Sequence, residues 1–133
     1  MKQGYCAPIE SLTEENTNFR QVLYTGEHCQ LVLMSLLPGE EIGLETHEEN
    51  DQFFRFERGT GKVVINDTEY DVAGGDAVIV PAGARHNITN ASETESLQLY
   101  TLYTPAHHKD GVVRATKAEA TADAPEFDGV TTE

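Results

Sequence analysis

Glu45 and His47 stand two residues apart, so on an extended strand both side chains leave the same face. Gln52 follows after a short polar run, and a second segment, Gly74 to Asn90, supplies His86. Neutral imidazole, anionic carboxylate and carbonyl-type oxygen are donors that divalent first-row metals accept. Two imidazoles, one carboxylate and one amide oxygen would make a metal site. Taken singly, each residue has an ordinary reading. A carboxylate in an acidic protein is normally exposed, and a lone histidine is more often structural than a ligand.

The segments that carry these residues must be strands and turns. Short runs rich in Val, Ile, Leu, Thr, Phe and Tyr alternate with Gly, Pro and Asn-Asp punctuation, and long 3.6-residue periodicity is scarce, which favours an all-β domain. Strands are expected over 19–24, 29–37, 42–47, 52–57, 62–65, 68–72, 77–80, 85–89 and 97–103, with a short edge strand over 112–114. Asn66-Asp67 is a two-residue hairpin signal. By alternation Gln52, Phe54 and Phe56 share one face of their strand, and Phe53, Arg55 and Glu57 the other. Cys29 to Leu37 is apolar at nearly every position, so one face must pack against something besides the domain core, a partner subunit or a second sheet. Ser11 to Glu14 reads as one capped helical turn, and Thr116 as the cap of a brief helix. His107 and His108 read as solvated residues of a terminal turn, and the chain beyond Thr121 as a loosely ordered tail.

The chain has 133 residues, enough for one core. Its formal net charge of −14, from 23 acidic and 9 basic residues, argues against nucleic acid and anionic membranes as partners. No segment reads as a signal peptide or a bilayer span, and two cysteines, Cys6 and Cys29, are too few for a disulfide framework. The expectation is a cytoplasmic protein with reduced thiols. Arg58 to Lys62 superficially looks like a phosphate loop, but it lacks the leading glycine and a following helix.

The spacing of these residues resembles the two motifs of the cupin superfamily. The first, G-x5-H-x-H-x(3,4)-E-x6-G, aligns with Gly39, Glu45, His47, Gln52 and Gly59, with Glu45 in place of the first His and Gln52 in place of Glu. The second, G-x5-P-x-G-x2-H-x3-N, is met at every fixed position by Gly75, Pro81, Gly83, His86 and Asn90. In detail the chain is similar to small single-domain cupins of the mannose-6-phosphate-isomerase-like type. The resemblance implies a double-stranded β-helix, or jelly-roll barrel, over 19–104, with an N-terminal extension over 1–18 and a C-terminal extension over 105–133. It also implies one divalent transition metal (Fe, Mn, Ni, Co or Zn) held by Glu45, His47, Gln52 and His86. Exchanging His and Glu for Glu and Gln keeps one carboxylate in the set, so its formal charge is preserved. Gln52 has two readings, a ligand or a hydrogen-bonding wall residue.

The function expected from this set is that of a metal-binding domain acting on a small organic molecule. It would be a mononuclear metalloenzyme of the oxygenase, isomerase or lyase type, or a binding and sensing domain with the metal as anchor. A homodimer is expected from the two-sided apolar strand and the resemblance. Arg55 and Arg85 could meet an anionic substrate, although a surface charge is the simpler reading of each.

Overall fold

Alternation decides which residues face inward. In the computed structural model, which describes residues 1–133, Gln52, Phe54 and Phe56 are buried, and Phe53, Arg55 and Glu57 are partly exposed. The strands are β1 (Arg20–Thr25), β2 (Gln30–Leu36), β3 (Glu45–Thr46), β4 (Asp51–Arg58), β5 (Thr60–Ile65), β6 (Thr68–Ala73), β7 (Ala77–Val80), β8 (Arg85–Asn90), β9 (Leu97–Thr104) and β10 (Val113–Arg114). Two short helices, α1 (Ile9–Glu15) and α2 (Lys117–Ala122), lie outside the strand region. One sheet has the order β10-β1-β2-β9-β4-β7 and the other β3-β8-β5-β6, every neighbour antiparallel. The core joins Val32, Met34 and Leu36 of β2, Phe54 and Phe56 of β4, and Leu97 and Leu99 of β9 to Val63 and Ile88 of the smaller sheet. Fully burying each such side chain is worth about 1.5–3 kcal/mol. The result is the all-β jelly-roll barrel expected from the sequence.

The chain passes from one sheet to the other at Gly59. Its φ is +98°, and a Cβ there would lie 2.6 Å from the Ser96 carbonyl oxygen. A side chain is therefore excluded on both conformational and steric grounds. Asn90 holds the loop after β8. Its amide nitrogen donates to the carbonyls of Leu36, Leu37 and Glu95, and its oxygen accepts from the Ser92 N–H.

Several expectations change. β3 is two residues long rather than spanning 42–47, because Gly43 takes φ +112° and breaks the extended run. Glu41 and Ile42 reach β8 only through an isolated bridge and one backbone bond. The first helix runs over seven residues, Ile9–Glu15, after Pro8, with Ser11 inside it and no side-chain cap. The two-sided apolar strand β2 finds its cover within the chain. Leu33 and Ser35, on the face away from the core, are buried. α1 lies against β4 and β9 of the same sheet. Gln98 Nε2 ties α1 down by donating to Glu14 O (2.7 Å) and Asn16 O (2.9 Å). The tail is docked rather than loose: His108 bridges Glu126, and the Phe127 N–H donates to His107 O. Thr132 bonds the end of β1 through both its N–H and its hydroxyl.

Candidate metal centre

β3 and β8 are paired so that Glu45 sits directly opposite His86. His47 follows β3 immediately, and the Gly83 N–H donates to its carbonyl, which ties the β7–β8 turn to this segment. The donor atoms of Glu45, His47 and His86 all lie within 4.8 Å of one another. Glu45 Oε2 is 3.1 Å from His47 Nε2 and 4.0 Å from His86 Nε2. Donors about 2.1 Å from a single ion span at most about 4.2 Å, so small side-chain adjustments close the triad on one.

The chemistry of the donors fits a cation. His86 is buried, and its Nδ1 lies 3.0 Å from the Ala84 carbonyl oxygen. A carbonyl only accepts, so Nδ1 carries the proton and Nε2 is left with a lone pair. That Nε2 has no hydrogen-bond partner, an uncommon state for a buried nitrogen. Burial alone would raise the pKa of Glu45, but the hydrogen bond with His47 and the nearby Arg20 charge outweigh it and lower the pKa. Glu45 is therefore a carboxylate at neutral pH.

Gln52 lies on the opposite sheet, 2% exposed on β4. Its Nε2 donates to Thr101 Oγ1 at 3.0 Å, and that hydroxyl donates onward to the Phe53 carbonyl at 2.8 Å. Because the Thr101 proton is committed, the amide is fixed with its nitrogen towards Thr101. Its Oε1 is buried without a partner. Phe54, on the same face, lies 6.4 Å from the His86 ring, centroid to centroid, and so lines the inner side of the site.

His107 and His108, expected in solvent, are part of this region. The His107 ring centroid is 4.3 Å from that of His47 and 5.3 Å from that of Tyr103. His108 is 6% exposed, with Nε2 3.2 Å from the Tyr103 hydroxyl. The physical reason is Gln30 on β2, fully buried and fully bonded. Its oxygen accepts from the N–H groups of His107 and His108, and its nitrogen donates to His108 O and Thr25 Oγ1. Burial, then Arg20 and the neighbouring histidines, push the His108 pKa down to about 2. Burial followed by His47 lowers that of His107. Burial and the Glu45 charge raise that of Tyr103, so its hydroxyl stays protonated.

Arg20, on β1, is a residue of this region that sequence reasoning missed. Arg85 is exposed, and Arg55 pairs with Glu57 at 3.4 Å, so neither serves the site. Two depressions border the triad and share His107. One of about 430 Å³ is lined by His47, Glu48, Glu49, Asn50, His107 and Glu126. The other, of about 240 Å³, is lined by Arg20, Glu45, His107, His108, Lys117 and Thr121.

Residues 32–103 match the family model of the cupin domain. The chain is 43% identical over 120 residues to YrkC of Bacillus subtilis, covering 86% of this chain and 64% of that protein. It is 41% identical over 114 residues to a protein of Acanthamoeba polyphaga mimivirus, covering 84% and 71% respectively. The chain thus spans a little under two thirds of the Bacillus subtilis relative. The crystal structure of BH2720 from Bacillus halodurans superposes with a TM-score of 0.89 at 39% identity, covering 91% of this chain and 96% of that one. With the family model matching more than half of the chain, and with two facing antiparallel sheets, the smaller of which carries the Glu-His-His triad on or just after its strands, the chain belongs to the cupin family.

Proposed function

We infer that the protein binds one divalent transition metal through Glu45, His47 and His86, with Gln52 as fourth donor, and acts as a mononuclear metalloenzyme on a small organic molecule. The observation that carries this reading is the convergence of three donor atoms within 4.8 Å around a buried imidazole nitrogen that has no other partner. When bound, the metal supplies Lewis acidity or redox capacity to a coordinated substrate. The protein residues have separate tasks. Ala84 O fixes the His86 tautomer, Thr101 turns the Gln52 oxygen away from itself, and His107 packs at a tilt against His47 to wall the centre. Tyr103, kept protonated, is a hydrogen-bond donor beside the site. Oxygenation, isomerisation and decarboxylation all suit such a centre.

A second reading, a binding or sensing domain with the metal as anchor, is favoured by one observation. Gln52 offers a neutral amide oxygen, a weaker donor than the carboxylate at that position of the family motif. Metal analysis of purified and reconstituted protein tests both readings, since substoichiometric metal that reconstitution does not raise refutes them together. A metal-loaded protein that binds small molecules and transforms none refutes the enzyme. His47→Ala and His86→Ala should each abolish metal uptake, and full occupancy in either would refute the assignment.

The finer likeness, to small cupins of the mannose-6-phosphate-isomerase-like type, also belongs to this reading, as do a cytoplasmic location and a homodimer. No helix is long and apolar enough to cross a membrane. For the dimer, the support is the groove where edge strands β6 and β7 meet, flanked by Tyr70 (47% exposed) and Ile79 (65% exposed). A monomeric mass at micromolar concentration would contradict it.

A further inference from the structure

Arg20 is a buried guanidinium without an ion-pair partner, resting 5.4 Å from the Phe19 ring centroid. It is 6% exposed, and its Nε has no hydrogen-bond acceptor. No carboxylate of the chain's 23 acidic residues lies within 4.0 Å of it, whereas Arg55, Lys62 and Arg114 each have at least one. Its cross-strand neighbour on β10 is another arginine, Arg114, which is already paired with Asp123 at 2.9 Å. Buried charges are normally paired, because leaving water without a counter-charge is strongly unfavourable. Arg20 lines the 240 Å³ cavity together with Glu45 of the triad and Lys117 of α2. The other depression carries Glu48, Glu49 and Glu126, so the two approaches to the triad differ in sign. An anion is favoured on one side and repelled on the other.

The geometry points to Arg20 as the receptor for the carboxylate of a small anionic ligand, a 2-oxo or 2-hydroxy acid, whose remaining oxygens face the Glu45–His47–His86 triad. The planar guanidinium fork matches a carboxylate in a two-point contact, which a lysine cannot reproduce. The cavity is below the usual range for drug-sized ligands, roughly 300–1,000 Å³, and this selects small acids. Lys117 adds a second positive charge at the same wall. The inference rests on the metal-centre reading, because the triad is what gives the other oxygens of the acid a destination.

The test uses the full chain loaded with Zn2+ and titrated calorimetrically with pyruvate, lactate and pyruvamide. Wild type should bind pyruvate or lactate and discriminate against the neutral amide. Arg20→Met and Arg20→Lys should weaken pyruvate binding about 10- to 100-fold, with zinc stoichiometry unchanged. Because Arg20 is buried and its variants risk unfolding, a second measurement uses wild type alone. The proton–nitrogen correlation of the Arg20 Nε–H should shift on adding pyruvate and stay in place on adding pyruvamide. Equal affinity in wild type and folded variants, absence of carboxylate binding at millimolar concentration, or an unmoved Nε–H signal overturns the assignment. Full zinc occupancy alongside any of these leaves the metal centre standing. A wild type that takes up no zinc refutes the centre instead, and the Nε–H response of the metal-free protein then decides Arg20 by itself.

Discussion

Replacing Gln52 with Met should move stability and metal affinity in opposite directions. The two side chains are close in length and volume, so the packing change is small. In the metal-free protein the substitution removes two things. One is the bond from Nε2 to Thr101 Oγ1, a net contribution of about 0.5–1.5 kcal/mol. The other is a buried oxygen without a partner, whose desolvation penalty is about 1–3 kcal/mol. Thr101 keeps its own bond to the Phe53 carbonyl, so no new donor is stranded. The difference puts metal-free Q52M between about 0.5 kcal/mol less and about 2.5 kcal/mol more stable than wild type, centred on a gain of about 1 kcal/mol. If Oε1 is a metal donor, losing it should weaken zinc binding by about 10-fold, equivalent to about 1.4 kcal/mol. Urea unfolding of chelator-treated protein reads the first quantity, and competition against a chromophoric zinc chelator reads the second. Q52M with unchanged zinc affinity would show that the amide is a wall residue. A metal-free Q52M destabilised by several kcal/mol would show that Oε1 is hydrogen-bonded in the metal-free protein.

The other predictions concern the scaffold. Gln30→Met strands two N–H groups and a carbonyl of the His107–His108 turn and should destabilise by about 3 kcal/mol in urea unfolding; a loss below 1 kcal/mol would mean that the turn holds without its clamp. Gly59→Ala forces a Cβ to within 2.6 Å of a backbone oxygen at positive φ, and should lower Tm far more than Gly39→Ala, where no atom lies within 4 Å. His108 faces Tyr103, His107, His47 and Arg20, and stays neutral in the fold down to about pH 2. Its folded pKa lies below the ordinary value near 6.5, so the unfolded chain binds the extra proton and stability falls as pH drops below about 6.5. The slope is about 1.4 kcal/mol per pH unit. Metal-free wild type should therefore lose about 2 kcal/mol more than His108→Gln between pH 7 and pH 5; equal losses would refute it.

What the sequence made legible was local. Alternation placed Gln52, Phe54 and Phe56 on one buried face because a strand has a fixed period of two. Motif spacing brought Glu45, His47 and His86 together because each sits beside a turn whose geometry is written in Gly or Pro. What stayed hidden depended on distant contacts. His107 and His108 looked like a polar turn, and only Gln30, more than seventy residues away, draws them inward. Arg20 carries no motif and falls within the first expected strand, 19–24. Its burial needs β2, β10 and the C-terminal helix, none of which leaves a trace at position 20. β2 looked like half of an interface because periodicity reports that a face is apolar and not what covers it.

That division has a consequence for where specificity resides. The segment that matches the family model, residues 32–103, contains Glu45, His47, Gln52 and His86. Arg20, His107, His108 and Lys117 lie outside it, and all four line the smaller cavity. The candidate donor set therefore belongs to the family segment, and most of the cavity's charge belongs to the flanking strands and helix. A change of ligand would not require a change of donors. Substitution at positions 20 and 117 would alter the sign of the approach, while the pairing of β3 with β8 kept Glu45 opposite His86. The C-terminal segment after β9 carries Lys117 and packs His107 against His47, so it acts as a wall of the site. Anchors such as the Thr132 bond to Thr25 should accordingly influence ligand binding without touching a ligand, by fixing how that wall is held.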